Sequence, residues 1–291
     1  MRNYMMVLIA VLFMAGDFAC NKMYQKKAGT SLVMGLKFNS LLGLFTGIIF
    51  LIPLLIQKGT VSCTAFSLIM ASLMTVFVTI YNIIGFRIMK SGSMALYTLF
   101  LMTGGMMVPY VWGLFFLQEE FSLQRTVGLL FMIIAVVWAN YAKKQTAKLQ
   151  VCLCVFVFFL NGFVSVISKM HQVEETLPHI SATEFVMLSG FCRFVLAGVL
   201  YLIVQKRTKA ENTKTQGLSV VILASAICSG LSYLLQLLGA QNLPATVLYP
   251  LVTGGGMVFT ALAGVIFFKE KPSRRVVLGV VVCFLATFLF L

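Results

Sequence analysis

The stretch TVLYPLVTGGGMVFTALAGVIFFKEK, Thr246 to Lys271, decides how the chain is read. It exceeds the roughly 20 apolar residues that cross a bilayer, yet it contains Pro250 and the run Gly254, Gly255, Gly256. Helix breakers within hydrocarbon persist where neighbouring protein or a wet cavity satisfies the freed backbone groups. The stretch is therefore expected to be an interrupted helix bordering a cavity. Its pattern occurs twice. Thr103, Gly104, Gly105, Met107, Val108, Glu120 and Arg125 return, at an offset of 150, as Thr253, Gly254, Gly255, Met257, Val258, Glu270 and Arg275. Spans interrupted at matching places in two halves of a chain point to a transport site between the halves.

Working outward, about ten apolar runs of roughly 20 residues can be marked, each long enough for a ~30 Å hydrocarbon layer. They lie near 4 to 21, 31 to 56, 63 to 86, 93 to 117, 123 to 142, 149 to 170, 181 to 205, 217 to 239, 245 to 268 and 274 to 291. The chain has 291 residues, 60% of them apolar and 10% charged, and its mean hydropathy is +0.99. A soluble core is excluded by such values. The expected fold class is all-α: a polytopic membrane protein of ten transmembrane helices. The opening MRNYMMVLIAVLFMAG reads as the first of these spans rather than a cleaved signal, because Asp17 and Phe18 stand where a lipoprotein site before Cys20 wants small apolar residues.

Further matches extend the duplication. Lys22 and Met23 answer Lys169 and Met170, and Lys37-Phe38 answers Arg193-Phe194. Two five-span halves follow, residues 1–145 and 146–291. An odd number of spans makes the second copy enter the membrane upside down, giving two inverted five-helix repeats. Charge agrees: sixteen Lys and Arg fall in odd-numbered connections and four on the other side. Positive loops favour the cytoplasm, so this bias places the odd connections inside and both termini outside. The net charge of +14 is thus a topology signal, and with no folded basic surface no nucleic-acid partner is expected.

Ten spans, two five-span repeats, a Gly-Phe-to-Lys segment closing spans one and six, the two base-aromatic pairs, and the blocks LQEEFSLQRTVGLLFMIIAVVW and FKEKPSRRVVLGVVVCFLATFLF resemble the EamA-type transporters of the drug/metabolite transporter superfamily. The resemblance implies a multi-pass carrier of the prokaryotic inner (plasma) membrane, often an exporter of small metabolites or drugs, with its site between the repeats. It also implies cytoplasmic termini, against the charge bias. The first-half segment, with Asp17 after Gly16, is one residue shorter to its Lys than the second-half segment.

Among the eight carboxylates, Asp17 is the one well inside a span, and an intramembrane acid is by default a functional candidate. It is expected either to exchange a proton for substrate or to form an ion pair with Lys37, which hairpin geometry places at similar depth. Arg193, mid-span, reaches Asp17 or holds an anionic group such as a carboxylate. Tyr81, Asn82, Tyr97, Tyr110, Asn161, Ser165, Tyr233, Gln236 and Tyr249 are the polar residues expected to face an otherwise apolar pocket suited to small organic cargo, or else to make interhelix hydrogen bonds.

Seven scattered cysteines lack disulfide or zinc spacing. In the loop HQVEETLPHI, Pro178 breaks the spacing a His171, Glu174, Glu175, His179 metal site would need. No phosphate loop or catalytic triad occurs, so neither enzyme chemistry nor a cofactor is expected, and any pumping draws on an ion gradient. The leading expectation is a monomeric secondary transporter exporting small organic metabolites or drugs, proton the coupling ion and membrane lipid its surroundings. An uncoupled facilitator for amino acids or similar metabolites, or a lipid-linked-sugar translocase, are the alternatives.

Overall fold

The computed structural model describes residues 2–90, 94–140, 148–208, 217–269 and 271–290. The described chain is helical throughout: α1 (Arg2–Ala28), α2 (Leu32–Lys58), α3 (Ala65–Lys90), α4 (Met94–Phe115), α5 (Leu123–Asn140), α6 (Lys148–Val173), α7 (Ala182–Thr208), α8 (Ser219–Asn242), α9 (Ala245–Phe268) and α10 (Arg274–Thr287), followed by a 3-10 turn, Phe288–Phe290. Among the described residues, eight helices are by length and composition able to cross a membrane, while α5 is apolar but shorter. At 14 residues, α10 spans about 21 Å at 1.5 Å per residue. The protein is a multi-pass membrane protein. The expected boundary between residues 145 and 146 lies outside the described residues.

Local chemistry sets several helix ends. Ser31 opens α2 by accepting from the Met34 N–H, and Gly59 closes it at φ 67° with its own N–H on Leu55 O. Ser273 likewise caps α10 through the Val276 N–H. At α7, Ser181 and Glu184 form a capping box: Glu184 accepts from Ser181 N at 2.9 Å and from Ser181 Oγ at 2.6 Å, and also from Ser62 N at 3.3 Å in the distant α2–α3 connection.

The packing order differs from the chain order. α1 lies on α8 and α9, α2 on α7, α3 on α6, and α4 on α6 and α9, while α5 pairs with α10. Three of these pairs run antiparallel. On α2 and α7, Ser40 donates to Phe194 O at 3.2 Å whereas Gly47 meets the Phe191 ring. On α4 and α9, Gly105 lies by Thr253 and Gly113 by Ala245. On α5 and α10, Gly128 lies by Phe290 and Gly279 by Ala135 and Ala139.

Two expectations need correction. α4 and α9 are continuous helices through Pro109, Pro250 and their glycines, not interrupted ones. The glycines serve close packing: a Cβ on Gly104 would collide with the Phe158 backbone, and one on Gly256 with Met14. Removing side-chain bulk lets helices approach in lipid, where dispersion and not the hydrophobic effect drives association. The offset is also 151 rather than 150. The non-glycine residues with positive φ, Gln118 and Lys269, are 151 apart, as are Ser122 and Ser273, each accepting from the N–H three residues on. Gly104 on Phe158 and Gly105 on Asn161 correspond to Gly255 on Val11 and Gly256 on Met14. Three consecutive glycines admit either register in sequence; their contacts select one.

Candidate functional site

Arg193, on α7, is the centre of the polar residues within the spans. Its guanidinium is within electrostatic reach of Asp17 on α1, Tyr81 on α3 and Tyr233 on α8. Asp17 accepts a hydrogen bond from Ser225 Oγ on α8. A buried carboxylate needs this kind of partner, since an uncompensated charge in hydrocarbon costs several kcal/mol. Asp17 takes Ser225 and Arg193 rather than the Lys37 of the hairpin expectation; α1 packs mainly on α8 and α9 and meets α2 nearer its own end, where Tyr24 lies against Phe38 at 4.7 Å and donates to Met34 O at 3.3 Å, and Lys37 has contacts of its own.

Beside this cluster is a narrow cleft of about 10 Å³, room for about one water molecule, lined by Asn39 and Leu36 of α2, Thr79 and Asn82 of α3, and Arg193 and Ala197 of α7, among others. It lies toward the α2 start and the α3 and α7 ends, hence toward the odd-numbered, base-rich connections. Asn39 uses its amide N–H on Gly35 O at 2.9 Å and Thr79 its hydroxyl on Thr75 O at 2.8 Å, so Arg193 and Asn82 are the side chains whose donors are most directly placed for an anionic group.

The other expected site residues divide. Tyr233 shares a hydrogen bond with Ser168 Oγ at 2.9 Å and donates to Met74 Sδ at 3.1 Å, joining α8 to α6 and α3. Tyr249 lies within reach of Tyr233, but is buried with its hydroxyl on Ser165 O at 2.6 Å. Tyr97 donates to Tyr81 O at 3.4 Å. Asn161 ties α6 to α4 through Leu101 O at 2.8 Å. Gln236 donates to Ser232 Oγ at 3.0 Å, and Ser232 donates to Ala10 O at 2.7 Å, binding α8 to α1. Tyr110 meets Thr126 Oγ1 at 2.8 Å. These hydroxyls and amides join helices and leave the Asp17, Arg193, Tyr81, Tyr233 group beside the cleft.

At the opposite end is an arrangement the sequence did not disclose. Glu119, from the α4–α5 connection, accepts from Ala245 N at 2.6 Å, Thr246 N at 2.9 Å and Thr246 Oγ1 at 2.8 Å. It thereby caps the N-terminus of α9, where orphan N–H groups and the helix dipole favour an anion. Lys169, 5% exposed, donates to Ala240 O at 2.6 Å and Leu243 O at 2.7 Å at the C-terminus of α8 and lies within electrostatic reach of Glu119. Nearby, His171 is fully buried, stacked on Phe185 at 3.8 Å and hydrogen-bonded to Ser67 and Gln172. It belongs to α6 and not to an exposed loop.

The EamA-like transporter family matches residues 148–291. Through this half, the chain belongs to the EamA-like transporter family. The family's members are membrane transporters of the drug/metabolite type and not enzymes. A solved crystal structure of another protein superposes on 99% of this chain and 96% of its own, with a TM-score of 0.78 at 14% identity; at that identity the likeness is one of fold. No curated protein matches the sequence. In this EamA-like protein, the cleft beside Arg193 and the capped α9 lie toward opposite ends.

Proposed function

We propose that this EamA-like protein is a secondary transporter of the cell's plasma membrane that exports small organic metabolites or drugs in exchange for protons by alternating access. The observation carrying this reading is Asp17: a carboxylate within a span, held by Ser225 and within electrostatic reach of Arg193, beside a small cleft, while Glu119 and Lys169 make their backbone contacts at the other end of the molecule. A group placed so changes its proton occupancy when a cation or the Arg193 guanidinium approaches or recedes. The antiparallel crossings α2/α7, α4/α9 and α5/α10 support residues 1–145 and 146–291 as oppositely inserted copies of one five-helix unit. The conformation described then faces the base-rich side, taken as cytoplasmic. The protein acts as a monomer with lipid around it.

Flux of a candidate cargo into proteoliposomes under an imposed pH gradient tests the coupling. Gradient-driven flux that Asp17→Asn abolishes, with uncoupled exchange retained, supports proton antiport; flux indifferent to the gradient overturns it. One further observation favours a second reading: Asp17 and Arg193 present opposite charges within electrostatic reach, which suits a zwitterion such as an amino acid carried without ion coupling.

A further inference from the structure

The outer wall formed by α5 and α10 holds a groove that the transport reading does not use. It has a volume of about 450 Å³ and is lined by Ile133, Ile134, Val137 and Trp138 of α5 and Arg275 of α10, within the range of about 300–1,000 Å³ usual for ligand sites. Gly279 approaches the Ala135 carbonyl and Ala139 closely, drawing the two helices together beside the groove. Ile134 and Trp138 are more than half exposed on the lipid-facing side. Trp138 is near the end of α5 and Arg275 near the start of α10, so both sit at one membrane interface, the level at which indole rings concentrate.

Among the described residues, the charge there is basic. Lys269, Lys271, Arg274 and Arg275 are exposed around the α9–α10 turn, and the neighbouring end of α1 brings Lys22 and Lys26 over the Phe268 ring at 4.8 Å and 4.6 Å. A ligand matching this surface has an apolar tail and a negative head. The geometry points to a binding site for an anionic phospholipid, one acyl chain lying along Ile133, Ile134 and Val137 and the phosphate on Arg275. The guanidinium fork suits phosphate oxygens, and basic residues at the ends of spans on the positive face recruit anionic lipids.

Purified, delipidated protein is titrated with phosphatidylglycerol and, separately, with phosphatidylcholine of the same acyl chains, following the melting temperature and the bound lipid by native mass spectrometry. Phosphatidylglycerol is expected to act at a concentration at least tenfold lower than phosphatidylcholine. Arg275→Gln should remove that preference, Arg274→Gln should keep it, and Val137→Trp, which fills the groove, should weaken both lipids. Arg275→Lys, which keeps the charge and loses the fork, serves where Arg275→Gln does not fold and should reduce the preference in part. Equal loss of preference in the Arg274→Gln and Arg275→Gln proteins, a diffuse surface attraction, overturns the proposal. So does phosphatidylglycerol binding that Val137→Trp leaves as strong as before.

Discussion

Lys22 and Lys169 occupy matching places in sequence, each followed by Met and each ending the same motif, yet their surroundings differ. Lys169 is buried, with its ammonium on two carbonyls at the end of α8 and Glu119 close by capping the next helix. Lys22 is half-buried, its ammonium over the face of Phe268, which Lys26 shares. At one end of the molecule charged groups are thus bonded to helix-end backbone, while the corresponding lysine at the other rests on an aromatic ring.

The largest expected effect tests the strength of this contrast. Lys169→Met leaves the Ala240 and Leu243 carbonyls short of a donor and Glu119 without its nearby cation, so a loss on the order of 3 kcal/mol is expected, read as a lower melting temperature in detergent. Lys22→Met should cost less than about 1 kcal/mol, the range of an exposed cation–π contact; equal losses would erase the distinction. Next, Glu119→Gln should cost about 1.5–3 kcal/mol, as hydrogen bonds to a charged group do. In a double-mutant cycle with Lys169→Met, the two changes should be non-additive by at least about 0.5 kcal/mol. A smaller shift is expected in access: a cysteine replacing Thr246, 1% exposed, should resist a membrane-impermeant maleimide, and adding Glu119→Gln should speed its labelling several-fold. Labelling that Glu119→Gln leaves unchanged would separate the cap from closure.

The helices themselves were readable in advance, because hydropathy marks them without knowledge of neighbours. The expected span 245 to 268 matches α9 (Ala245–Phe268), and 31 to 56 falls within two residues of α2 (Leu32–Lys58) at each end. What depends on which helices touch was not readable. Asp17 and Lys37 look like partners in a hairpin, and the real neighbour is α8, which brings Ser225. Glu119 caps a helix that begins 126 residues later, beyond any local pattern. By contrast, Ser181 and Glu184 had the spacing of a capping box in plain view. The duplicated blocks were legible, but three glycines in a row hid a one-residue shift that only the partners of Gly104 and Gly255 resolve.

Glu119 also bears on how the polypeptide is put together. The carboxylate that finishes the start of α9 is supplied from before α5, so residues 148–291 synthesised alone would carry a helix with its first amides bare. Co-expressed as two fragments cut between α5 and α6, the pieces should recover that helix end by finding each other in the bilayer, and a glutamine at position 119 should impair reassembly more than the intact chain.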